Sequence, residues 1–224
     1  MTKNIWITGA STGIGKALAI KFAKEGWRVA ASARRENLLN ELENNNSNIK
    51  SFPLDVLDEN KTNITFQNII KEFKELDVCV FSTGIHDPEG EKDFNIETVR
   101  KIMDTNFFGT LNSIMSVNKY FREKKSGHIS IVSSVAGYRG LPAAAGYCSS
   151  KAALISLAET LYFDFKRFNV RVSLINPGFI KTPMTDENKF NMPMLKTAEY
   201  AADKIFNGIT KDNAFEIHFP KSFT

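Results

Sequence analysis

The chain has 224 residues, 42% of them hydrophobic and 24% charged. That balance suits one large globular domain or two small ones and allows a substantial core without staples. The net charge is only +4, with lysines and arginines spread along the chain, which argues against nucleic-acid binding, and no apolar stretch reaches the ~18 residues that span a bilayer. Cys79 and Cys148 are too few and too far apart for a disulfide framework or a metal site. The start at Met1-Thr2-Lys3 runs straight into a strand pattern with no signal core. The expectation is a cytoplasmic protein with no transmembrane segment.

In chain order, short apolar runs alternate with longer helical patterns. Strands are predicted at Asn4–Thr8, Arg28–Ser32, Ile49–Pro53, Asp77–Ser82, Gly127–Val132, Val170–Asn176 and Phe215–Phe219. Between the first two, Ile14, Leu18 and Phe22 recur at helical spacing, predicting a helix over Gly15–Lys24. Further helices are predicted at Glu36–Asn44, Lys61–Phe73, Ile96–Phe121, Gly146–Phe168 and Thr197–Gly208. Alternation over the full length means parallel strands joined by crossover helices, and strands this apolar are expected where both faces of a sheet are covered. The predicted fold class is α/β: residues 1–224 form a single domain on a doubly wound, parallel, seven-stranded sheet. Lys181–Lys196 breaks the rhythm. It is polar, holds Pro183 and Pro193, and follows a strand end, where open α/β sheets bind ligands; it is the predicted substrate loop.

The stretch Thr8-Gly9-Ala10-Ser11-Thr12-Gly13-Ile14-Gly15 puts three glycines between a strand and a helix. Strand, glycine turn and helix make the dinucleotide-binding arrangement of a Rossmann fold. The glycines form the turn and admit a pyrophosphate, and the helix N-terminus offers free N–H groups. The alternative is a bland tight turn. At the end of the second strand, Ser32-Ala33-Arg34-Arg35 lacks the acidic residue that would hold a ribose 2′-hydroxyl. Two guanidiniums suit a 2′-phosphate, which points to NADP(H) over NAD(H); the plain alternative is two solvated arginines at a helix start. Asp55 follows the third strand and is read either as a partner of the adenine amino group or as a helix cap.

Tyr147 and Lys151 stand four residues apart at the opening of a predicted helix, so they share a face. A nearby cation lowers the pKa of a phenol and equips it to exchange a proton with a carbonyl or alcohol oxygen. Alone, such a pair is most simply a surface pair. Upstream, however, Ser133-Ser134 ends an apolar strand on the ligand side of the sheet, and Asn106 interrupts a helical pattern.

Together these residues resemble the short-chain dehydrogenase/reductase family over nearly the full chain: the glycine stretch, Asp55, Asn106, Ser134, Tyr147, Lys151 and Asn176-Pro177-Gly178. The resemblance implies a catalytic set in which Tyr147 exchanges the proton, Lys151 lowers the tyrosine pKa and holds the nicotinamide ribose, Ser134 binds the substrate oxygen, and Asn106 holds a relay water. It implies cofactor contacts from Gly9, Ser11, Thr12, Gly13, Ile14, Gly15, Asp55, Val56, Gly84, Pro177, Gly178, Ile180 and Thr182, beside Arg34, Arg35, Tyr147 and Lys151. No metal is implied. Phe81-Ser82-Thr83-Gly84 stands where the family has Asn-Asn-Ala-Gly, so the support of that turn is expected to differ. The chain stops soon after the last predicted strand, at Phe219-Pro220-Lys221-Ser222-Phe223-Thr224, where some relatives carry an apolar, basic tail. The implied activity is hydride transfer between nicotinamide and a carbonyl or secondary alcohol; the alternatives are a non-catalytic NADP-binding regulator and a sugar epimerase or dehydratase. The pocket is expected to take in His86, Ala136–Pro142 and Met184–Lys196. Leu141, Phe179, Met184, Phe190, Met192 and Met194 favour a hydrophobic ketone or aldehyde. The resemblance implies a homodimer or homotetramer with its interface on the helices Ile96–Phe121 and Gly146–Phe168, whose apolar residues Phe107, Phe108, Leu157 and Leu161 equally suit a plain core.

Overall fold

The computed structural model describes residues 3–186, 188 and 191–221. Seven strands, β1 (Asn4–Thr8), β2 (Arg28–Ser32), β3 (Ile49–Ser51), β4 (Val78–Phe81), β5 (Gly127–Val132), β6 (Val170–Pro177) and β7 (Glu216–Phe219), form one sheet in the order β3-β2-β1-β4-β5-β6-β7. Every pairing is parallel. The helices are α1 (Gly13–Lys24), α2 (Glu36–Asn44), α3 (Glu59–Phe73), α4 (Pro88–Lys92), α5 (Ile96–Met103), α6 (Gly109–Lys124), α7 (Ala145–Lys166), α8 (Pro183–Asp186) and α9 (Ala198–Asn207). The sheet is doubly wound as expected. Connections from β1 and β4 run to opposite sides, which opens a crevice at the carboxyl ends of these neighbours.

Strand alternation divides the core. In β1, Ile5 and Ile7 join Leu18 and Phe22 of α1, Leu39 of α2 and Ile205 of α9 on one face. Trp6 points to the other, among Phe66 of α3, Phe121 of α6 and Leu154 of α7. Trp6 is fully buried, and its indole N–H donates to Ser32 Oγ at 2.9 Å, so its polar atom is satisfied.

Most boundaries fall within one or two residues of the sequence reading, and three differences shorten, interrupt or add an element. β3 stops at Ser51 instead of Pro53, in keeping with an edge strand that runs into a proline. The long helix expected over 96–121 is interrupted: a π-helical turn at Asp104–Phe108 separates α5 from α6. The segment between β4 and α5, for which the sequence suggested no element, contains α4, which begins with Pro88 behind the N-cap Asp87, whose carboxylate accepts from Gly90 N at 2.9 Å.

Candidate active site

The glycine turn leaves β1 beside β4. Gly9 has φ +68°, and a Cβ there would lie 2.8 Å from the Ser82 carbonyl oxygen. A Cβ at Gly15 would lie 2.3 Å from the Gly9 carbonyl oxygen. These two glycines are therefore needed for backbone packing within the turn and against the neighbouring strand end. Gly13, at φ +56°, faces across to the Thr182 side chain instead. α1 then begins with Thr12 as N-cap, no side-chain capping bond and no acidic residue in its first turn. Its first N–H groups and the positive end of the helix dipole are left for an anion.

A cleft of about 500 Å³ opens above this turn. Every residue expected to bind the cofactor lines it, from Gly9 and Arg34 at one end to Lys151, Gly178 and Thr182 at the other, as does Ser134. The two arginines divide their work. Arg35 folds onto the glycine turn, with Nη2 donating to Ser11 Oγ at 2.9 Å and to Thr12 Oγ1 at 2.8 Å. Arg34 is exposed at the rim. Asp55 is not the cap of α3, a place taken by Asp58; it lines the cleft and accepts from Leu57 N at 3.1 Å.

At the other end, α7 presents Tyr147 and Lys151 one turn apart. The Lys151 ammonium is buried, donates to the Val132 carbonyl at 3.1 Å and sits 5.6 Å from the Tyr147 ring centre. Burial pushes this ammonium down to about 8. Burial also pushes the Tyr147 phenol up to about 12, against the pull of its hydrogen bond with Ser134. The net effect in the free protein is thus opposite to the lowering expected from Lys151 alone: desolvation of the phenol outweighs its favourable neighbours. Ser134 follows β5, accepts from Ala136 N at 3.1 Å and caps the turn Val135–Gly137. Ser133 ties β5 to α7 by donating to the Lys151 carbonyl at 2.7 Å.

Asn106 lies behind the cleft, fully buried in the π-helical turn, a form frequent at functional sites. Its Oδ1 accepts from Ile85 N at 2.7 Å, and its Nδ2 donates to Ile85 O at 3.0 Å and to Ser150 Oγ at 2.9 Å. Ser150 in turn donates to the Tyr147 carbonyl at 2.7 Å. Asn106 therefore clamps the segment after Gly84 to α7. This supports the turn in which Phe81-Ser82-Thr83-Gly84 departs from the family pattern, together with a bond from Ser82 N to Thr8 Oγ1 at 3.1 Å.

The substrate-side segments are anchored to the sheet. Asn176 Nδ2 donates to Tyr138 Oη at 2.9 Å and to Glu216 Oε1 at 2.7 Å, holding the 136–142 stretch. The 181–196 loop is closed at its base by Lys181 N to Lys196 O, 2.8 Å, and Lys196 N to Phe179 O, 3.0 Å. Met184 lines the cleft, whereas Leu141 and Met194 are largely exposed; Phe190 lies outside the described residues. Sequence reasoning missed Glu91 altogether and expected His86 in the substrate pocket, whereas the cleft lining takes in Ile85 beside it. The structure places the His86 ring 4.6 Å from that of Tyr147, centre to centre, and the buried Glu91 carboxylate against the backbone of α7.

The chain is similar to known proteins in sequence and fold. A family model described as short chain dehydrogenase matches residues 3–193. The chain belongs to the short-chain dehydrogenase family. Among its relatives is an uncharacterized oxidoreductase of Myxococcus xanthus, 36% identical over 218 residues, covering 96% of this chain and 86% of that one. A 3-oxoacyl-(acyl-carrier-protein) reductase of Thermotoga maritima is 32% identical over 185 residues, covering 81% of this chain and 75% of that one. The solved structure of ElxO with NADP bound superposes with a TM-score of 0.87 at 30% identity, covering 97% of this chain and 98% of that one. This short-chain dehydrogenase is an oxidoreductase, and its glycine turn, uncapped α1 and paired arginines fit a nicotinamide dinucleotide. Among the described residues no cluster suits a metal ion, and no helix is long and apolar enough to cross a membrane.

Proposed function

We propose that this short-chain dehydrogenase interconverts a hydrophobic ketone or aldehyde and the corresponding alcohol, with NADP(H) preferred over NAD(H). The observation that carries this reading is one continuous cleft with an anion-ready helix terminus and two arginines at one end and Ser134, Tyr147 and Lys151 at the other. When bound, the nicotinamide supplies the hydride chemistry. Ser134 holds the substrate oxygen by its hydroxyl and stabilises the charge that grows there. Tyr147 gives its phenolic proton to that oxygen in reduction and takes it back in oxidation. The Lys151 ammonium stabilises the phenolate so formed and, held on the Val132 carbonyl, presents its remaining protons to the cofactor ribose. Arg34 would hold the 2′-phosphate of NADP(H), and Arg35 stiffens the glycine turn through Ser11 and Thr12. Asn106 keeps the Gly84 segment and α7 in register for the proton path.

Pro183 and Met184, at the start of the 181–196 segment, line the cleft and supply an apolar wall at its substrate end. The relatedness to an oxoacyl reductase is in keeping with an apolar carbonyl substrate. The exposed Phe108, Met115 and Phe163 on the 104–124 and α7 faces form the surface through which copies associate. Two free, buried cysteines suit a reducing cytoplasm. The test is NADPH consumption against a mixed panel of aldehydes and ketones, with Tyr147→Phe as the blank. Turnover lost in the variant supports the reading. Tight NADPH binding with no turnover across the panel would favour a regulatory protein on this scaffold.

A further inference from the structure

α7 begins without a cap of its own. Its N-cap is Ala144, it has no side-chain capping bond, and no acidic residue stands in its first turn. The missing acceptor comes from a residue 55 positions upstream. Glu91, in α4, has a side chain with 0% exposure, and its Oε1 accepts from Gly146 N at 2.5 Å and Tyr147 N at 3.1 Å. Its Oε2 lies 3.2 Å from His86 Nε2. The His86 ring lies against the Tyr147 ring at 4.6 Å and 35°. One buried acid thus holds the backbone of Tyr147 directly and its ring through an imidazole.

Burying a carboxylate this far from water is costly unless it is bonded and paired, and its partners are Gly146 N and Tyr147 N at the start of α7 and the imidazole of His86. The local structure is built for it. Asn106 clamps Ile85, the residue before His86. Asp87 caps α4, and Glu91 N donates to Asp87 O at 2.9 Å, placing Glu91 one turn in. Gly146 leaves room, since a Cβ there would sit 3.1 Å from Val99 Cα and 3.3 Å from Glu91 Oε1.

We propose that Glu91 and His86 are a positioning pair for Tyr147, fixing its backbone and ring and setting the pH range over which it works. The proposal rests on the reading that Tyr147 exchanges the proton. The groups around the phenol are Ser134 after β5, Cys148 and Lys151 of α7, and His86 and Glu91 of the β4–α4 segment. Asp87 is turned onto Gly90, and α5 meets Gly146 with Val99 and Ile102. Glu91 is the one carboxylate among these phenol neighbours, and its charge opposes ionisation of the phenol. Removing that charge while keeping an acceptor, as in Glu91→Gln, moves the phenol down, so the alkaline limb of reduction moves to lower pH. A merely structural cap would not move it.

The experiment compares wild type, Glu91→Gln, Glu91→Ala, His86→Ala and Tyr147→Phe in NADPH-dependent reduction of benzil across pH. NMR of the isotope-labelled tyrosines reads the ring directly, with Tyr147 assigned by its loss in Tyr147→Phe. Glu91→Ala is expected to lose kcat about tenfold or more with NADPH affinity unchanged. Glu91→Gln is expected to recover most of that loss, with the alkaline limb lowered by about half a pH unit or more. Glu91→Ala and His86→Ala are each expected to displace the Tyr147 resonance. A limb unmoved in Glu91→Gln, or a Tyr147 resonance unmoved in the two alanine variants, overturns the proposal. Benzil turnover surviving in Tyr147→Phe would instead overturn the assignment of Tyr147 itself, while the NMR arm still reads the pair. Should Glu91→Ala fail to fold, Glu91→Gln and His86→Ala decide.

Discussion

Arg34 and Arg35 are neighbours in sequence with separate tasks in space. Arg35 is bonded to Ser11 and Thr12 of the glycine turn, whereas Arg34 is exposed at the cleft rim. Arg34→Ala is therefore expected to weaken NADPH binding by about tenfold or more and leave NADH binding within about threefold, since only the 2′-phosphate loses a charged partner. Arg35→Ala is expected to weaken both, because the turn serves either dinucleotide. Calorimetric titration with the two cofactors checks this, and equal losses in Arg34→Ala would remove the 2′-phosphate assignment. Tyr147→Phe is expected to lower turnover by about a hundredfold or more with NADPH affinity nearly unchanged, as deletion of a proton donor requires. Substantial residual turnover would take Tyr147 out of that role.

Among the elements, the β1–α1 turn is the most constrained by geometry. Gly15→Ala would place a methyl group 2.3 Å from a backbone carbonyl oxygen, and neither chain segment yields without opening the turn. The expected cost is about 2–4 kcal/mol, or a Tm lowered by roughly 5–15 °C in a chain of this size, with a parallel loss of dinucleotide affinity. Gly140→Ala serves as the control, because nothing lies within 4 Å of a Cβ there; its Tm should stay within about 2 °C. A Gly15→Ala protein as stable as the control would refute the close-approach account. The 104–108 segment makes the same point about context. The periodicity of 96–121 reads as one helix; Asn106 interrupts its pattern, but nothing local marks a π-helical turn there. The π-helical turn follows from tertiary demands: Asn106 must reach Ile85 and Ser150, and at Gly109 a Cβ would meet Val56 Cγ2 at 2.5 Å.

Across the whole molecule, the central sheet carries a pH sensitivity. His128 of β5 is buried, 2.7 Å from Ser173 Oγ of β6, and burial pushes its imidazole down to about 3. The unfolded chain protonates this group near its ordinary value of 6.5, so between about 6.5 and 3 the unfolded state binds more protons and stability falls as pH falls. From about pH 7 to pH 4 the loss is on the order of 3 kcal/mol from this residue. Thermal unfolding across that range should show a decline that is shallower in His128→Gln; identical slopes would discharge His128 from the effect.

Much of this protein was legible in its residues. The alternation of apolar runs with helical periods determined seven parallel strands and their doubly wound class, because burial on both faces of a sheet leaves a mark in every strand. Glycine spacing at 9, 13 and 15 and the four-residue step from Tyr147 to Lys151 determined the two ends of the cleft, because both depend on local backbone geometry. Tertiary structure alone decided which contacts cross the chain. The capping of α7 by Glu91, the ring contact of His86 with Tyr147, the clamp of Asn106 on Ile85 and the division between Arg34 and Arg35 join segments with no shared local pattern. The physical reason is range: propensity and periodicity act over a few residues, whereas the satisfaction of a buried polar group is settled by whatever the fold brings within about 3 Å of it.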